Sequence, residues 1–135
     1  MNILNRENSS IKAITCSSDK PDNYYKNIRH DLLPLISEED KCILEVGCAE
    51  GMTGKELKKR PGMFVAGIEM NKDAAEIAKN VLDDVIVGDI EEMEIPYNPS
   101  SFDCIIFADV LEHLVDPLAA TVSYTHLTLP TILLV

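Results

Sequence analysis

Apolar residues in this chain follow two patterns that alternate with each other between Tyr24 and Ala120. Short continuous apolar runs end at a glycine, a proline or an acidic residue, which is typical of strands buried in a parallel sheet. Between these runs, apolar residues recur at every third or fourth position, which indicates amphipathic helices. The predicted strands are residues 42–46, 63–68, 85–87 and 102–108, and the predicted helices are residues 24–36, 51–60 and 71–81.

Individual residues mark the expected ends of these helices. Pro34 is expected to kink or shorten the first helix, and Asn71 to cap the third. Residues 109–115 are expected to form a turn or short helix, followed by a helix that begins at Pro117. Since parallel strands joined by helices require right-handed crossovers, the predicted fold class is α/β, with a Rossmann-like doubly wound parallel sheet.

Composition narrows the range of partners. The 135 residues are enough for one domain, and the formal net charge of −11 argues against nucleic acid or an anionic membrane as the main partner. The four cysteines form no C-x-x-C pair, so we interpret them as buried side chains in a reducing compartment and expect no metal site. No apolar run approaches the roughly 20 residues of a membrane span, and a cytoplasmic location is expected.

The end of the sequence differs in character from the rest. From Val122 onward the chain contains no Asp, Glu, Lys or Arg, and residues 122–131 (VSYTHLTLPT) resemble the translation of a transposon-type sequencing-library adaptor. The alternative is a genuine strand, since Thr, Tyr, Ile and Val favour strands. We therefore divide the chain into a loose lead-in (1–22), a partial domain (23–121) and a non-native tail (122–135), and expect no role for Tyr124 or His126.

Acidic residues and glycines follow the predicted strands, at the edge of the sheet where open α/β folds bind ligands. The first strand leads into a loop with Gly47-x-x-x-Gly51 spacing, and Glu45 stands two residues before the first glycine. A dinucleotide site would show G-x-G-x-x-G instead, and a carboxylate at this place would repel its diphosphate. The carboxylate suits a cationic ligand with an ammonium and a sulfonium group. Glu69, 22 positions after Gly47, lies where an acid accepts hydrogen bonds from ribose hydroxyls.

Four segments together resemble the motifs of class I S-adenosylmethionine-dependent methyltransferases. They are residues 43–51 (ILEVGCAEG), 65–70 (VAGIEM), 88–90 (GDI) and 102–114 (FDCIIFADVLEHL). The resemblance implies the strand order 3-2-1-4, of which this chain supplies only the N-terminal half of the family sheet, and it implies S-adenosylmethionine as the cofactor. It also implies methyl transfer to a small-molecule or saccharide-type acceptor.

The resemblance assigns roles to individual residues. Glu45 would orient the methionine ammonium, Glu69 would hold the ribose, and Asp89 would accept from the adenine amino group. Ile90 would pack on the adenine ring. The remaining implied cofactor contacts are Gly47, Cys48, Ala49, Gly51, Met70 and Asp109.

One residue departs from the family pattern. Ala49 stands where the family most often has its middle glycine, which is tolerable if the backbone φ stays negative. We expect a modest loss rather than failure from this alanine.

One residue near the end of the fourth-strand motif is ambiguous. His113 is a candidate general base for an acceptor hydroxyl, since the pKa of histidine lies near neutral, and Asp109 is a second catalytic candidate. The alternative for His113 is a structural histidine that packs its helix on the sheet. Tyr24, Tyr25 and Arg29 are candidate acceptor contacts.

Two other functions stay open. An NAD-dependent Rossmann oxidoreductase would need the glycine spacing that is absent here. An inert, truncated fragment is the second alternative, because without the tail the fourth strand has an unpaired edge, and a tail paired there would only be a surrogate strand. We expect the 135-residue chain to be unstable or inactive although its parent is a methyltransferase. The oligomeric state is left open.

Overall fold

A computed structural model describes residues 10–13, 24–108, 110–125 and 128–134 of the chain. One sheet contains the strands β1 (Ser10–Ala13), β2 (Cys42–Val46), β3 (Phe64–Glu69), β4 (Asp84–Val87), β5 (Phe102–Phe107) and β6 (Thr128–Leu134). The helices are α1 (Met52–Leu57), α2 (Lys72–Ala78) and α3 (Pro117–Thr125), with 3₁₀ turns at Tyr24–Lys26, Leu33–Leu35 and Leu111–His113. All strand pairs are parallel, in the order β1-β6-β5-β2-β3-β4.

The predicted fold class and strand order are confirmed. The four predicted strands are β2, β3, β4 and β5, and in the sheet they lie in the order β4-β3-β2-β5, which is 3-2-1-4. Their bounds agree with the predicted ones within a residue. On the outer side of β5, β6 from the tail segment pairs with Phe102–Phe107 and β1 pairs with β6, so β5 has a neighbour on each side.

The predicted helix at 24–36 is wrong. The structure has two short 3₁₀ turns there, because backbone groups of this segment bond to other parts of the chain. The Arg29 N–H donates to Thr53 Oγ1 at 2.9 Å, and the Glu50 N–H donates to the Tyr25 carbonyl at 3.1 Å. Pro34 has no N–H to continue a helix. Two of the periodic apolar residues, Leu32 and Ile36, are nevertheless buried, and Leu33 packs partly buried against the same layer.

The two faces of the sheet form two apolar layers. Along β2, Ile43 lies in one layer and Leu44 and Val46 lie in the other, so both faces of the strand are covered. This explains why β2 appears in the sequence as a continuous apolar run rather than an alternating one. Glu45 falls on the same side as Ile43 and is itself buried.

Helix α2 begins as predicted at the Asn71 cap, whose side chain accepts a hydrogen bond from the Ala74 N–H at 3.0 Å. Helix α3 begins as predicted at Pro117, and Asp116 caps it by accepting from the Ala119 N–H at 3.0 Å. In the part of the chain that the structure describes, no helix has the length and apolar character needed to cross a membrane.

Candidate functional site

The loop after β2 is fixed against the end of β3 by its own backbone. The Gly47 and Cys48 N–H groups both donate to the Ile68 carbonyl, at 2.7 and 3.1 Å. Gly47 has a φ of +78°, and a Cβ placed on it would lie 2.1 Å from Val110 Cγ2. Both the backbone conformation and the approach of the β5 loop therefore require glycine at this position.

Ala49 does not have the negative φ on which the expectation of a tolerable alanine depended. Its φ is +51°, in the left-handed region that an L-side chain rarely adopts. The conformation is held by Glu69, whose Oε1 accepts from the Ala49 N–H at 2.9 Å. The alanine is therefore strained at the centre of the loop rather than relaxed at a negative φ.

Glu69 lies at the end of β3 with both carboxylate oxygens occupied by backbone donors. Besides the bond to Ala49, Oε2 accepts from the Asn71 N–H at 2.9 Å, and the residue is 9% exposed. Each carboxylate oxygen has two lone pairs, so the group can still accept from ligand hydroxyls. The two backbone bonds hold the carboxylate in one orientation at the edge of the sheet.

Glu45 lies on the other side of Gly47, in a small pocket of about 40 Å³. The residues that line this pocket are Asn27, Arg29, Glu45, Gly47, Cys48, Ala49, Thr53 and Ala108. Burial, together with the Glu45 and Glu69 carboxylates, raises the pKa of the Cys48 thiol well above its usual range. Cys48 thus stays a neutral thiol in the wall and is not a nucleophile.

The loop after β4 is closed by hydrogen bonds to Asp89. Its Oδ1 accepts from the Glu91 N–H at 2.9 Å, while its carbonyl accepts from the Glu92 and Met93 N–H groups. The Gly88 N–H donates to the Glu69 carbonyl at 3.0 Å, which joins this loop to the end of β3. Asp89 is therefore held in place beside Glu69 before any ligand arrives.

A cavity of about 230 Å³ opens between these loops and the loop after β5. Its polar lining includes Glu69, Asp89 and His113, and its apolar walls come from the layer that contains Leu44 and Val46. The cavity is lined by Tyr25, Val46, Gly47, Ile68, Glu69, Met70, Gly88, Asp89, Ile90, Glu91, Val110, His113 and Leu114. Gly47 lines both this cavity and the pocket of Glu45, so the two adjoin across the first loop.

His113 faces the cavity from the 3₁₀ turn Leu111–His113. Half of its side chain is exposed, and Nε2 lies 3.3 Å from Glu112 Oε1. A side chain this exposed does not pack the turn onto the sheet. Asp109, the other catalytic candidate, lies outside the described residues.

Most of the predicted cofactor contacts meet at this place. Gly47, Glu69, Met70, Asp89 and Ile90 line the cavity, while Glu45, Cys48 and Ala49 line the adjoining pocket. Gly51 lines neither; it has a φ of +85° at the start of α1, packed against Val81 and Leu82.

The acceptor candidates divide between the two spaces. Tyr25 lines the cavity, and Arg29 lines the small pocket, where its guanidinium is paired with Asp31 at 2.8 Å. The hydrogen bond from Arg29 lowers the pKa of the Asp31 carboxyl. The side chain of Tyr24 lies outside the described residues.

Several lining residues were not predicted from the sequence. Val110 and Leu114 lie inside the fourth-strand motif and could have been found from their positions after β5. Thr53 and Glu91 gave no such signal, because a threonine in a helix and a glutamate in an acidic loop are ordinary features.

Comparison with known proteins adds independent evidence. The model of a family described as a methyltransferase domain matches residues 44–127 of the chain. A ubiquinone biosynthesis O-methyltransferase of Neisseria meningitidis serogroup C is 30% identical over 119 residues, which cover 75% of this chain and 48% of that protein. The chain thus spans about half the length of the curated relatives it matches.

Solved structures show the same fold. A TehB-like S-adenosylmethionine-dependent methyltransferase from Corynebacterium glutamicum has a TM-score of 0.53 at 27% identity, over 64% of this chain and 47% of that chain. The plantazolicin methyltransferase BpumL, solved with S-adenosylhomocysteine, has a TM-score of 0.59 at 19% identity, over 67% of this chain and 35% of that chain.

Proposed function

Because this chain belongs to the methyltransferase-domain family, whose methyl donor is S-adenosylmethionine, we propose that the protein transfers a methyl group from that donor to a hydroxyl of a small-molecule acceptor. The described edge of the sheet is the donor site in this proposal. The observation that carries it is the convergence of Glu45, Glu69 and Asp89, from three neighbouring strands, on the two adjoining spaces around Gly47.

The charge of this edge favours a cationic ligand over a nucleotide. Glu69, Asp89 and Glu91 line the cavity, and Glu45 is buried in the adjoining pocket. A diphosphate placed beside these groups would be repelled, whereas an ammonium and a sulfonium would be attracted. This argues against the alternative of an NAD-dependent oxidoreductase, which the glycine spacing also disfavours.

The two spaces match the two halves of S-adenosylmethionine. We assign the small pocket to the methionine half, with Glu45 accepting from the ammonium and Gly47, Cys48 and Ala49 along the chain of the ligand. The cavity takes the nucleoside, with Glu69 accepting from the ribose hydroxyls and Asp89 from the adenine amino group. Met70 and Ile90 supply apolar contact for the adenine ring.

When bound, the cofactor supplies an electrophilic methyl group on sulfur. The methyl group would pass to the oxygen of the acceptor hydroxyl, and the electron pair of the carbon–sulfur bond would stay with the donor. His113 takes the proton that the hydroxyl loses, in the role of general base. The rest of the rate acceleration comes from alignment of the two reactants.

The acceptor class follows from the relatives. The curated relatives are named ubiquinone biosynthesis O-methyltransferases, which supports oxygen as the methylated atom and a small molecule as its carrier. A saccharide-type acceptor is the second candidate. Tyr25 at the mouth of the cavity, 40% exposed, offers an aromatic surface suited to a planar acceptor.

Donor binding is tested with Glu69→Gln. Both oxygens of Glu69 accept from N–H groups, so one of these donors must face the amide nitrogen of the glutamine. We expect affinity for S-adenosylhomocysteine, measured by isothermal titration, to fall at least about tenfold. The matched control is Glu38→Gln at an exposed position, with the same change of charge. Equal affinities of wild type and Glu69→Gln would contradict the assignment of Glu69.

Transfer is tested with methyl-tritiated donor and two acceptors, catechol and glucose. In the parent protein expected from the sequence we expect label on catechol, and we expect His113→Gln to lower kcat about a hundredfold with little change in donor KM. Label on glucose alone would overturn the proposed acceptor class, and no label on either acceptor would overturn the proposed transfer. For the 135-residue chain alone we expect donor binding without transfer, and label transferred by this chain would contradict the expectation of an inactive fragment.

A further inference from the structure

Two of the loops that wall the cavity are joined by the side chain of Glu91. Its Oε1 accepts from the Val115 N–H at 3.1 Å, and its Oε2 accepts from the same N–H at 3.0 Å and from the Asp116 N–H at 3.1 Å. Glu91 belongs to the loop after β4, and both N–H groups belong to the segment after β5. The bonds thus run between segments that are 24 and 25 residues apart in sequence.

On the side of β4, Glu91 is held by the residue that we assign to adenine. Asp89 Oδ1 accepts from the Glu91 N–H at 2.9 Å. The Asp89 carbonyl accepts from the Met93 N–H, and this second bond holds Asp89 itself in place. A ligand that contacts Asp89 therefore acts on the backbone from which the Glu91 carboxylate projects.

On the side of β5, the two bonded N–H groups follow His113 closely. The turn that carries His113 ends with the Leu114 N–H donating to the Leu111 carbonyl at 3.3 Å, and Val115 is the next residue. The Val115 side chain is 93% exposed, so packing does not fix the chain at this point. Pro117 has no N–H that could bond to a neighbouring loop. In the described structure, the bonds to Glu91 therefore hold the backbone between the His113 turn and α3.

We propose that Glu91 is a positioning residue that ties the His113 turn to the adenine side of the cavity, so that donor binding orders the proposed base. The inference rests on the proposed function, because it gives His113 and Asp89 the roles stated there. In this inference Glu91 is given no contact with the reacting oxygen or the methyl group. It acts on His113 through the backbone of Val115 and Asp116.

The test measures amide hydrogen exchange by NMR at Val115 and Asp116, with and without S-adenosylhomocysteine. In the wild type we expect both amides to be protected, and protected further by the ligand. Glu91→Ala should speed their exchange about tenfold and remove the further protection by the ligand. Glu91→Gln keeps one acceptor oxygen and should give intermediate rates. Glu92→Ala, at the exposed neighbour, removes the same charge and should leave both rates unchanged.

A kinetic measurement separates positioning from a general loss of fold. Glu91→Ala should lower kcat for methyl transfer about tenfold more than it raises donor KM, while Glu91→Gln recovers part of kcat. Unchanged exchange in Glu91→Ala, or equal acceleration in Glu92→Ala, would overturn the inference while donor binding persists. If the wild-type chain does not bind S-adenosylhomocysteine but Glu91→Ala still speeds amide exchange, the proposed function is overturned instead.

Discussion

Two regions of this molecule treat their polar groups differently. In the first, residues 41–108, three carboxylates accept hydrogen bonds from backbone N–H groups. Asp103 Oδ2 accepts from the Lys41 and Cys42 N–H groups at 2.8 and 2.9 Å, and Asp83 Oδ2 accepts from the Val65 N–H at 2.8 Å. Glu69 is the third, and its bonds hold the loops after β2 and β3 that carry the proposed site.

In the second region, residues 117–134, the pattern is different. Tyr124 is fully buried, and its hydroxyl has no hydrogen-bond partner within the described residues. Burial raises the pKa of this hydroxyl to about 12. Leu118 is 64% exposed on the same helix. A tyrosine inside and a leucine outside is the reverse of the usual arrangement.

The difference teaches how the two regions use particular polar side chains. In the first region, three carboxylates accept from backbone donors, although Ala49 is strained. In the second region, the buried Tyr124 hydroxyl has no hydrogen-bond partner within the described residues. The interpretation of residues 122–135 as a non-native tail stays a prediction. The following substitutions test the contrast.

The largest effect is expected from Gly47→Ala in the first region. The new methyl group would meet Val110 and impose a left-handed φ on alanine, so we expect about 3 kcal/mol of destabilisation in urea unfolding. Gly62→Ala is the matched control: its φ is +74°, but the nearest atom to its Cβ is 3.9 Å away. That control should cost about 1 kcal/mol. Equal costs at the two glycines would contradict the close approach.

Asp83→Asn is expected to lower the free energy of unfolding by about 1 kcal/mol. The substitution removes the charged acceptor of the Val65 N–H and of Lys58 Nζ, which lies 2.7 Å from Asp83 at a site partly screened by solvent. Burial raises the pKa of Asp83, but the bonds from Lys58 and Val65 outweigh it, and the folded-state pKa lies below the usual 3.8. The stabilisation is therefore complete above about pH 4 and is lost as the pH falls further. In urea unfolding, the difference in stability between wild type and variant should be smaller at pH 3 than at pH 7. A gap that widens at pH 3 would contradict the sign.

Tyr124→Phe tests the second region. The substitution removes the buried hydroxyl and keeps the edge-on contact with Phe107, whose ring centroid is 5.6 Å away. We expect stabilisation by about 1 kcal/mol in urea unfolding. Tyr97→Phe is the control, since the Tyr97 hydroxyl donates to Asp84 Oδ2 at 2.8 Å and its loss should not stabilise the protein. Destabilisation by Tyr124→Phe would show that its hydroxyl is satisfied.

The smallest effect is expected from Ala49→Gly. Glycine relieves the left-handed strain but also frees the unfolded chain, so the net gain should be about 0.5 kcal/mol in thermal unfolding. Ala78→Gly, in the buried part of α2, is the control and should destabilise. A loss of stability in Ala49→Gly would mean that the alanine conformation is not strained.

The sequence was informative where local pattern and tertiary structure agree. The apolar run at 42–46 and the Asn71 cap predicted the strand and helix that the structure contains, because burial on both faces and capping leave direct signals in residue type. The segment at 24–36 misled, because its helical spacing reflects two buried residues, Leu32 and Ile36, rather than a continuous hydrogen-bonded helix. Its backbone donors are used by Thr53 and other distant groups, which periodicity does not reveal.

The residues of the candidate site also divide into those that the sequence predicts and those that it does not. Glu45, Glu69 and Asp89 could be predicted because they lie at or just after the carboxyl ends of strands, and these ends meet at one edge of a parallel sheet. The positive φ of Ala49 could not, since it arises from the Glu69 carboxylate that holds its N–H. The bridge from Glu91 to Val115 depends on the spacing of two loops and has no local signature.

The central claim is that the described edge of the sheet binds S-adenosylmethionine rather than a dinucleotide. Isothermal titration of the 135-residue chain with S-adenosylhomocysteine, and separately with NAD, tests it most directly. We predict saturable binding of S-adenosylhomocysteine and no binding of NAD. Binding of NAD without binding of S-adenosylhomocysteine would contradict the account.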